Sequence, residues 1–331
     1  MAGIRLADFV KEVHVDGLGK NDYIEKASNF KMDSLGRLTT RAENEEVFKL
    51  NFNEWGLAQA LGKMEIPGLR EYGKHLMEKD ETYRLANIFN FHLEQIVEKR
   101  GDKDWLIRSK NNVCRACLSD RYSIIDNEDI IHSVYETFKD TNVEVVGNSI
   151  DDNYMNLRLK ISEHQFNAGT EQKKDPLFLG VHILNSEVGA SSVTIYPIIY
   201  RQVCTNGLVV EIGKGSALKH RHIISPADTQ SEIEAKFVSI LSEGIESLKM
   251  FAGSRNKKVN NPENVIGEII NRERLPKEMT DRVVKSYLEE AEPTEYGILN
   301  AFTRSAREMN YIDRLEVEKI AGKLLIEGVN S

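Results

Sequence analysis

The spacing of apolar residues changes twice along the 331-residue chain, and this change constrains the fold more than any other feature of the sequence. From about residue 51 to 103 the period is helical, because Leu85, Phe89 and Leu93 share one face of a helix predicted over about 81–99. From about 104 to 224 the apolar runs are short and rich in β-branched residues, and beyond 225 the helical period returns. The pattern therefore predicts an α+β fold, in which an N-terminal helical segment and a C-terminal helical region flank a central, mostly antiparallel sheet.

The same transitions divide the chain into four segments. We expect a leader with short strands over 1–50, a helical segment over 51–103, a sheet-centred core with a long packing helix over 104–252, and a C-terminal helical region over 253–331. A length prior of about 150 residues per domain would allow two domains. The single change to a strand period and back favours one sheet-centred fold.

Within the core, six short runs bounded by turn residues predict strands. These runs are Trp105–Arg108, Val143–Val146, Tyr154–Ile161, Phe178–Leu184, Ser192–Tyr200 and Leu208–Ile212. A helix is predicted over Asn127–Phe138, and Asn206-Gly207 has the chemistry of a type I′ hairpin turn. Thr229 and Glu232 have capping-box spacing and mark the expected start of the long helix.

Composition limits the classes of protein to which the chain can belong. Hydrophobic residues make up 40% and charged residues 29%, as in globular rather than disordered or collagen-like proteins. The first residues do not resemble a secretion signal, and the sequence contains no apolar run long enough to span a membrane. An odd number of cysteines, 3, argues against a disulfide framework. We therefore expect a cytoplasmic protein with reduced thiols and no contact with membranes.

Two motifs suggest cofactor chemistry but fit it poorly. The glycine-rich run 207–216 differs from a phosphate-binding loop, because five residues separate Gly207 from Gly213 and Gly215 follows Lys214. An ordinary hairpin strand explains it better. The acidic residues Asp120 and Asp126 are better explained as caps of a helix start than as catalytic carboxylates. We expect no catalytic residue and no cofactor.

The candidate metal ligands in the sequence are three cysteines and two histidines. Cys114, Cys117, Cys204, His220 and His222 are ligand types that zinc accepts. A structural zinc site of this kind normally contains a second Cys-x-x-Cys pair, which the chain lacks, and cysteines beside apolar residues commonly act as small buried hydrophobes. We expect no metal site.

Positive charge concentrates in three short segments, although the 44 Lys and Arg against 52 Asp and Glu give a net charge of −8. We call 107–122, 201–222 and 249–258 the basic segments, and Tyr122, Tyr200 and Phe251 lie in or beside them. Cations beside aromatic rings suit single-stranded nucleic acid. Solvated loop charges are the simpler explanation for any one segment. The candidate nucleic-acid-binding residues are Arg108, Lys110, Arg115, Arg121, Tyr122, Arg201, Lys214, Lys219, Arg221, Lys257 and Lys258.

The order of four short runs resembles a known family. These runs are Arg115–Tyr122, Asn185-Ser186 with Gly189, Tyr200–Leu208 and Asn300–Thr303. They are similar to the signatures of the phage/plasmid-like family called domain of unknown function 932, and the similarity extends from about 50 to 327. The resemblance implies a protein carried by phages, prophages or plasmids, and hence one that acts in the cytoplasm of the host cell. It implies no catalytic residue.

Together these features predict a DNA-metabolism protein of a phage or plasmid. The main hypothesis is a non-catalytic single-stranded DNA binder that anneals strands or mediates recombination and forms homo-oligomers. An alternative is an interaction protein that inhibits or recruits a host factor, such as a nuclease inhibitor or defence antagonist, since its net acidity is DNA-like. A further alternative is a metal-dependent nucleic-acid enzyme.

Overall fold

The computed structural model describes residues 4–42, 45–201, 208–211, 218–220, 226–276, 278–306, 309 and 311–329. Over these residues the α+β class is confirmed, with helices at both ends of the chain. The strands form two sheets of six strands each, where the sequence predicts one central sheet. None of the helices in the described ranges is long and apolar enough to cross a membrane.

The first sheet curls back on itself. Its strands are β1 (Lys20–Lys26), β2 (Phe30–Met32), β3 (Leu38–Ala42), β4 (Glu45–Phe52), β5 (Asp104–Lys110) and β6 (Val113–Ser119), in the order β1-β5-β6-β4-β3-β2. The edge strands β1 and β2 are consecutive in sequence and only three residues, Ala27–Asn29, separate them, so the two edges must lie close together. The rings of Tyr23 in β1 and Phe48 in β4 accordingly meet at 4.4 Å between centroids.

Three helices fill the interior of this curled sheet. They are α2 (Glu54–Gly62), α3 (Leu69–Glu78) and α4 (Thr82–Arg100), and their apolar faces share one core with the strands. Leu61 and Phe89 are among its fully buried side chains. On its other side, α4 covers the free edge of β2: Asn90 Nδ2 donates to the Met32 carbonyl at 2.9 Å, and Asn90 Oδ1 accepts from the Met32 N–H at 2.8 Å.

The second sheet is antiparallel throughout. Its strands are β7 (Val143–Ile150), β8 (Met155–Asn167), β9 (Pro176–Asn185), β10 (Val193–Arg201), β11 (Leu208–Glu211) and β12 (Leu218–His220). The order is β11-β10-β9-β8-β7, and β12 also pairs with β10. One face packs on α1 (Leu6–Gly17), α5 (Asn127–Phe138) and α6 (Pro226–Gly253), where the rings of Phe138 and Phe237 lie 5.2 Å apart.

The opposite face of the second sheet is polar and buried. Arg158 of β8 forms a two-point ion pair with Glu318, and His182 of β9 is hydrogen-bonded to Asn156 and Tyr196. Glu318 belongs to the last of four C-terminal helices. These are α7 (Pro262–Arg272), α8 (Glu278–Leu288), α9 (Glu295–Ser305) and α10 (Tyr311–Glu327), which share an apolar core with the end of α6.

The predicted helices and strands agree with the structure in type, but the strands pair into different sheets from the single sheet predicted. The bounds of α5 are those predicted, and the six predicted strands are present as β5 and β7–β11. However, β5 joins the first sheet because its pairing partners β1 and β6 lie on either side of it. The long helix begins at Pro226, so Thr229 lies within α6 and not at its start. The predicted turn at Asn206-Gly207 lies outside the described residues.

Candidate functional site

A loop of the second sheet inserts against the first sheet and joins the two. This inter-sheet loop, residues 186–192, links β9 to β10. The carbonyl of Val188 accepts hydrogen bonds from Trp55 Nε1 at 3.0 Å and Gln59 Nε2 at 2.8 Å, both from α2. The hydroxyl of Tyr122 donates to the Ser186 carbonyl at 3.0 Å. The first two family-like runs, 115–122 and 185–189, are therefore in direct contact.

Glu187 is the central carboxylate of this junction. It is 4% exposed and accepts from Arg115 Nη2 at 2.8 Å, Lys20 Nζ at 2.8 Å and the Asn127 N–H at 2.9 Å. Burial alone raises the pKa of Glu187, but the charges of Lys20 and Arg115 outweigh burial and lower the pKa to about 2. The carboxylate therefore stays ionised inside the protein.

Arg108 is the central cation of the same junction. Its guanidinium is buried, contacts Asp22 at 2.9 Å and also Asp126, and donates to the Glu187 carbonyl at 2.9 Å. Lys110 pairs with Asp16. We call the complete set the junction network: Lys20, Arg108, Lys110 and Arg115 with Asp16, Asp22, Asp126 and Glu187. Four cations face four carboxylates, so the network is formally neutral.

A β-bulge in β6 places Arg115 in the network. Cys114 pairs with Ser109 and Ala116 with Arg108, so Arg115 is the extra residue between them. The bulge also breaks the strand's alternation, so that Cys114 and Cys117 come together with their Sγ atoms 3.7 Å apart in the buried core. Burial raises the pKa of the Cys114 thiol.

The residues considered for metal binding come together only as this pair of thiols. In the described parts of the chain no three His, Cys, Asp or Glu side chains are arranged to hold a metal ion. Cys204 and His222 lie outside the described residues. For His220 only the backbone, in β12, is described.

Most of the described cations of the basic segments are paired with carboxylates that are distant in sequence. Arg108 and Arg115 are buried in the junction network, and Lys110 is ion-paired there. Arg201 is buried and pairs with Asp175 at 2.8 Å and Glu290 at 2.9 Å. The guanidinium groups of Arg108, Arg115 and Arg201 therefore face the interior and not solvent. Counting acidic residues near them in sequence does not reveal this, because their carboxylate partners are distant in sequence.

The remaining candidates divide between the surface and the undescribed parts of the chain. Arg121 is exposed and Tyr122 is partly exposed. Lys257 pairs with Glu295 at 3.0 Å, and Lys258 is exposed beside it. Lys214 and Arg221 lie outside the described residues, and Lys219 is described only by its backbone, opposite Thr194.

A second ionic cluster joins the other two family-like runs. Arg201 of β10 and Arg304 of α9 share the carboxylate of Glu290. The same Arg201 contacts Asp175, which also accepts from the Tyr296 hydroxyl at 2.8 Å. Arg201 of the run at 200–208 is thereby linked to Arg304, which directly follows the run at 300–303, where the second sheet contacts the C-terminal helices.

The outer side of the junction carries one exposed residue, Arg121, and several half-buried ones. Trp55, Gln59 and Lys63 recur every four residues and form one stripe along α2. Beside them lies the turn that carries Arg121 and Tyr122. The sequence analysis missed Trp55 and Lys63, although their helical spacing could have revealed them. We call these five residues the junction surface.

Gly189 lies at the middle of the junction surface. Its φ is +74°, and a Cβ there would lie 2.9 Å from Leu118 Cδ2 and 3.6 Å from the Tyr122 ring. The backbone conformation and the close packing both require glycine. Gly189 thereby lets the inter-sheet loop approach α2 and the turn at 120–122.

Two cations of this surface lack an ionic partner. Neither Lys63 nor Arg121 forms an ion pair with any residue that the structure describes. Lys63 Nζ lies 4.8 Å above the Trp105 ring, and burial lowers the pKa of Lys63, although the negative charge of Asp120 partly offsets this effect. Arg121 is the more accessible of the two and remains available to an anion.

Comparison with known proteins identifies a family but no characterised relative. Neither a curated protein nor a solved structure matches the chain. The family model described as "Domain of unknown function (DUF932)" matches residues 116–308, more than half of the chain. The matched region contains the inter-sheet loop, β7–β12 and most of the run at 115–122. The chain therefore belongs to the DUF932 family of domains of unknown function.

Proposed function

We propose that this protein binds single-stranded DNA without catalysis and that the junction surface contacts the strand. The observation that supports the proposal most directly is the presence of Arg121, an exposed cation that forms no ion pair in the described chain, next in sequence to the partly exposed ring of Tyr122. Lys63, which forms no ion pair there either, and Trp55 lie on the neighbouring face of α2. Cations position a phosphate backbone, and stacking on an aromatic ring contributes roughly 1–3 kcal/mol per base.

The buried arginines have a supporting role in this proposal. Arg108 and Arg115 hold the inter-sheet loop through Glu187, and the loop in turn orients Tyr122 through its hydroxyl. Contact with DNA is assigned to the residues on the outside. The further candidates for a flank of the strand are Lys214, Lys219, Arg221, Lys257 and Lys258.

Three further proposals accompany this role in DNA metabolism. The resemblance to phage- and plasmid-borne proteins supports a function in strand annealing or recombination. Proteins of this type commonly bind cooperatively along the strand, so we expect homo-oligomers on DNA. We also propose that the protein acts in the cytoplasm of the cell that carries the mobile element.

Fluorescence anisotropy of a labelled thymidine oligomer tests the proposal across a salt series. We expect binding at low salt, and a salt slope that falls by about 0.7 for each phosphate contact removed. The double variant Lys63→Met/Arg121→Met removes two contacts. Lys11→Met/Lys139→Met is the matched control, because it removes the same charge from exposed sites on α1 and after α5.

Two results would refute DNA binding at this surface. The first is no anisotropy change even at low salt. The second is equal affinity and equal salt slope for the test variant and its control.

An interaction protein with an acidic surface is a second candidate. The junction network contains four cations and four carboxylates, so the net charge of −8 belongs to the rest of the chain. Binding of a purified basic host protein, together with no binding of the oligomer, would favour this function. Cleavage of DNA that chelation abolishes would instead support the metal-dependent enzyme.

A further inference from the structure

A half-open cavity of about 410 Å³ lies between α3 and α2, the helix that also carries Trp55 and Gln59 of the junction surface. Its volume falls within the range of about 300–1,000 Å³ that is typical of small-molecule sites. Apolar side chains form one part of its lining, namely Phe52, Leu57, Ala58 and Met77. Polar side chains form the rest, namely Asn53, Glu54, Arg70, Glu71, Lys74 and Glu78.

Arg70 lines this cavity and packs against the end of α2. A Cβ on Gly62 would lie 2.3 Å from Arg70 Nη2 and 2.7 Å from Arg70 Cζ, so the guanidinium occupies the space that a side chain at position 62 would fill. Gly62 directly precedes Lys63, which belongs to the junction surface. Arg70 is exposed and forms no ion pair with the described residues. Its planar cation can therefore stack on a flat ring.

The carboxylates of the cavity are of two kinds. Glu54 is paired with Lys74 at 2.6 Å. Glu71 and Glu78 are exposed and lie beyond ion-pair distance of every described Lys and Arg. These two can accept hydrogen bonds from a ligand that carries N–H donors.

An apolar lining, a planar cation and free carboxylates together suit a nucleobase. The edge of guanine carries adjacent imino and amino donors, which one carboxylate accepts together, whereas thymine offers a single imino donor on that edge. We propose that this cavity binds one unstacked guanine-type base, donated by the strand on the junction surface. The claim that a DNA strand donates the base rests on the proposed function, whereas the claim that the cavity binds a guanine-type base does not.

Isothermal titration with the free nucleoside guanosine tests the cavity without any phosphate. We expect guanosine to bind at least 10-fold more tightly than thymidine. Gly62→Ala places a Cβ where the guanidinium lies, and Ala58→Leu fills the cavity. Each variant should weaken guanosine binding at least 5-fold.

A matched control variant separates an effect on the cavity from an effect on folding. Ala is favoured over Gly inside a helix, by roughly 0.5–1 kcal/mol, so Gly62→Ala should fold. Gly267→Ala in α7 is the matched control, because nothing lies within 4 Å of a Cβ at that position. It should leave guanosine affinity unchanged.

The outcomes separate this inference from the proposed function. Binding of the thymidine oligomer without guanosine binding overturns the cavity inference and leaves the DNA-binding proposal intact. Guanosine binding that Gly62→Ala weakens, without binding of any oligomer, supports the cavity and refutes the DNA proposal. Guanosine affinity unaffected by both cavity variants overturns the assignment of the site.

Discussion

Substitution of Glu187 by glutamine tests whether the junction network holds the two sheets together. The amide side chain would have nearly the same volume as the native carboxylate and could still accept from the Asn127 N–H. It would leave Arg115 and Lys20 without the carboxylate that each contacts at 2.8 Å. Removing one partner of a buried ion pair leaves an uncompensated charge and costs about 3–5 kcal/mol.

The pKa of Glu187 gives an independent magnitude and a pH window. The pKa is lowered from 4.5 to about 2 in the folded protein. At about 1.4 kcal/mol per pKa unit, the ionised carboxylate contributes about 3 kcal/mol to the free energy of unfolding. Because the folded pKa is the lower one, this contribution is complete above about pH 4.5. It is lost as the pH falls from 4.5 towards 2.

Urea unfolding at pH 7 and at pH 3 measures both effects. We expect Glu187→Gln to lower the free energy of unfolding by about 3 kcal/mol at pH 7 with an unchanged m-value, and by less at pH 3. Glu268→Gln is the control, because Glu268 is exposed on α7. A loss below about 1 kcal/mol at pH 7, or an equal loss at both pH values, would refute the reasoning.

Three further predictions concern single positions. Gly189→Ala should lower stability by about 1–3 kcal/mol, because residue 189 has a φ of +74° and Leu118 lies close; thermal unfolding measures the loss, and an unchanged midpoint would contradict it. Arg158→Met should lower the free energy of unfolding, measured in urea, by about 3–5 kcal/mol, because it leaves the buried Glu318 carboxylate without Arg158. The double variant Arg158→Met/Glu318→Leu should lose less, because it removes both buried charges; a double loss equal to the sum of the two single losses would contradict this. Burial lowers the pKa of His182 well below 6.5, so the unfolded chain binds the proton more readily. Stability should fall below about pH 6.5 by up to about 1.4 kcal/mol per pH unit, and His182→Gln should flatten that dependence in urea titrations; parallel pH profiles would contradict the assignment.

Local patterns predict the elements of this fold well because they depend on neighbouring residues. The helix over Asn127–Phe138 has a capping box, Asp126 with Asp129, and an apolar stripe, both of which are visible in sequence. The division into two sheets is not visible, because the pairing of β1 with β5 joins residues about 80 positions apart. Turns are predicted unevenly. The type I′ turn at 206–207 is predicted from its residues and lies outside the described ones. By contrast, the positive φ values at Asn111 and Asn112 show a hairpin turn between β5 and β6 that is not among the predicted turns.

The candidate site shows a sharper limit of sequence reasoning. Arg108 and Arg115 stand in a basic segment of the sequence, yet their partners Asp22 and Glu187 are contributed by distant segments. Local charge therefore overstates the positive charge at the surface. The cavity beside Arg70 depends on how α2 packs against α3, which residue spacing alone does not specify.

The amide of Asn90 has a consequence for how copies of this protein can associate. It occupies the outward N–H and C=O of Met32, the groups through which a strand from another chain would extend the first sheet. Strand addition at Met32 is thereby blocked, so a copy that extends a sheet by strand pairing must use another edge, such as β1, β7 or β11. One side-chain amide thereby takes the place of a further strand at this edge, and it leaves neither hydrogen-bonding group of Met32 available to a second copy of the chain.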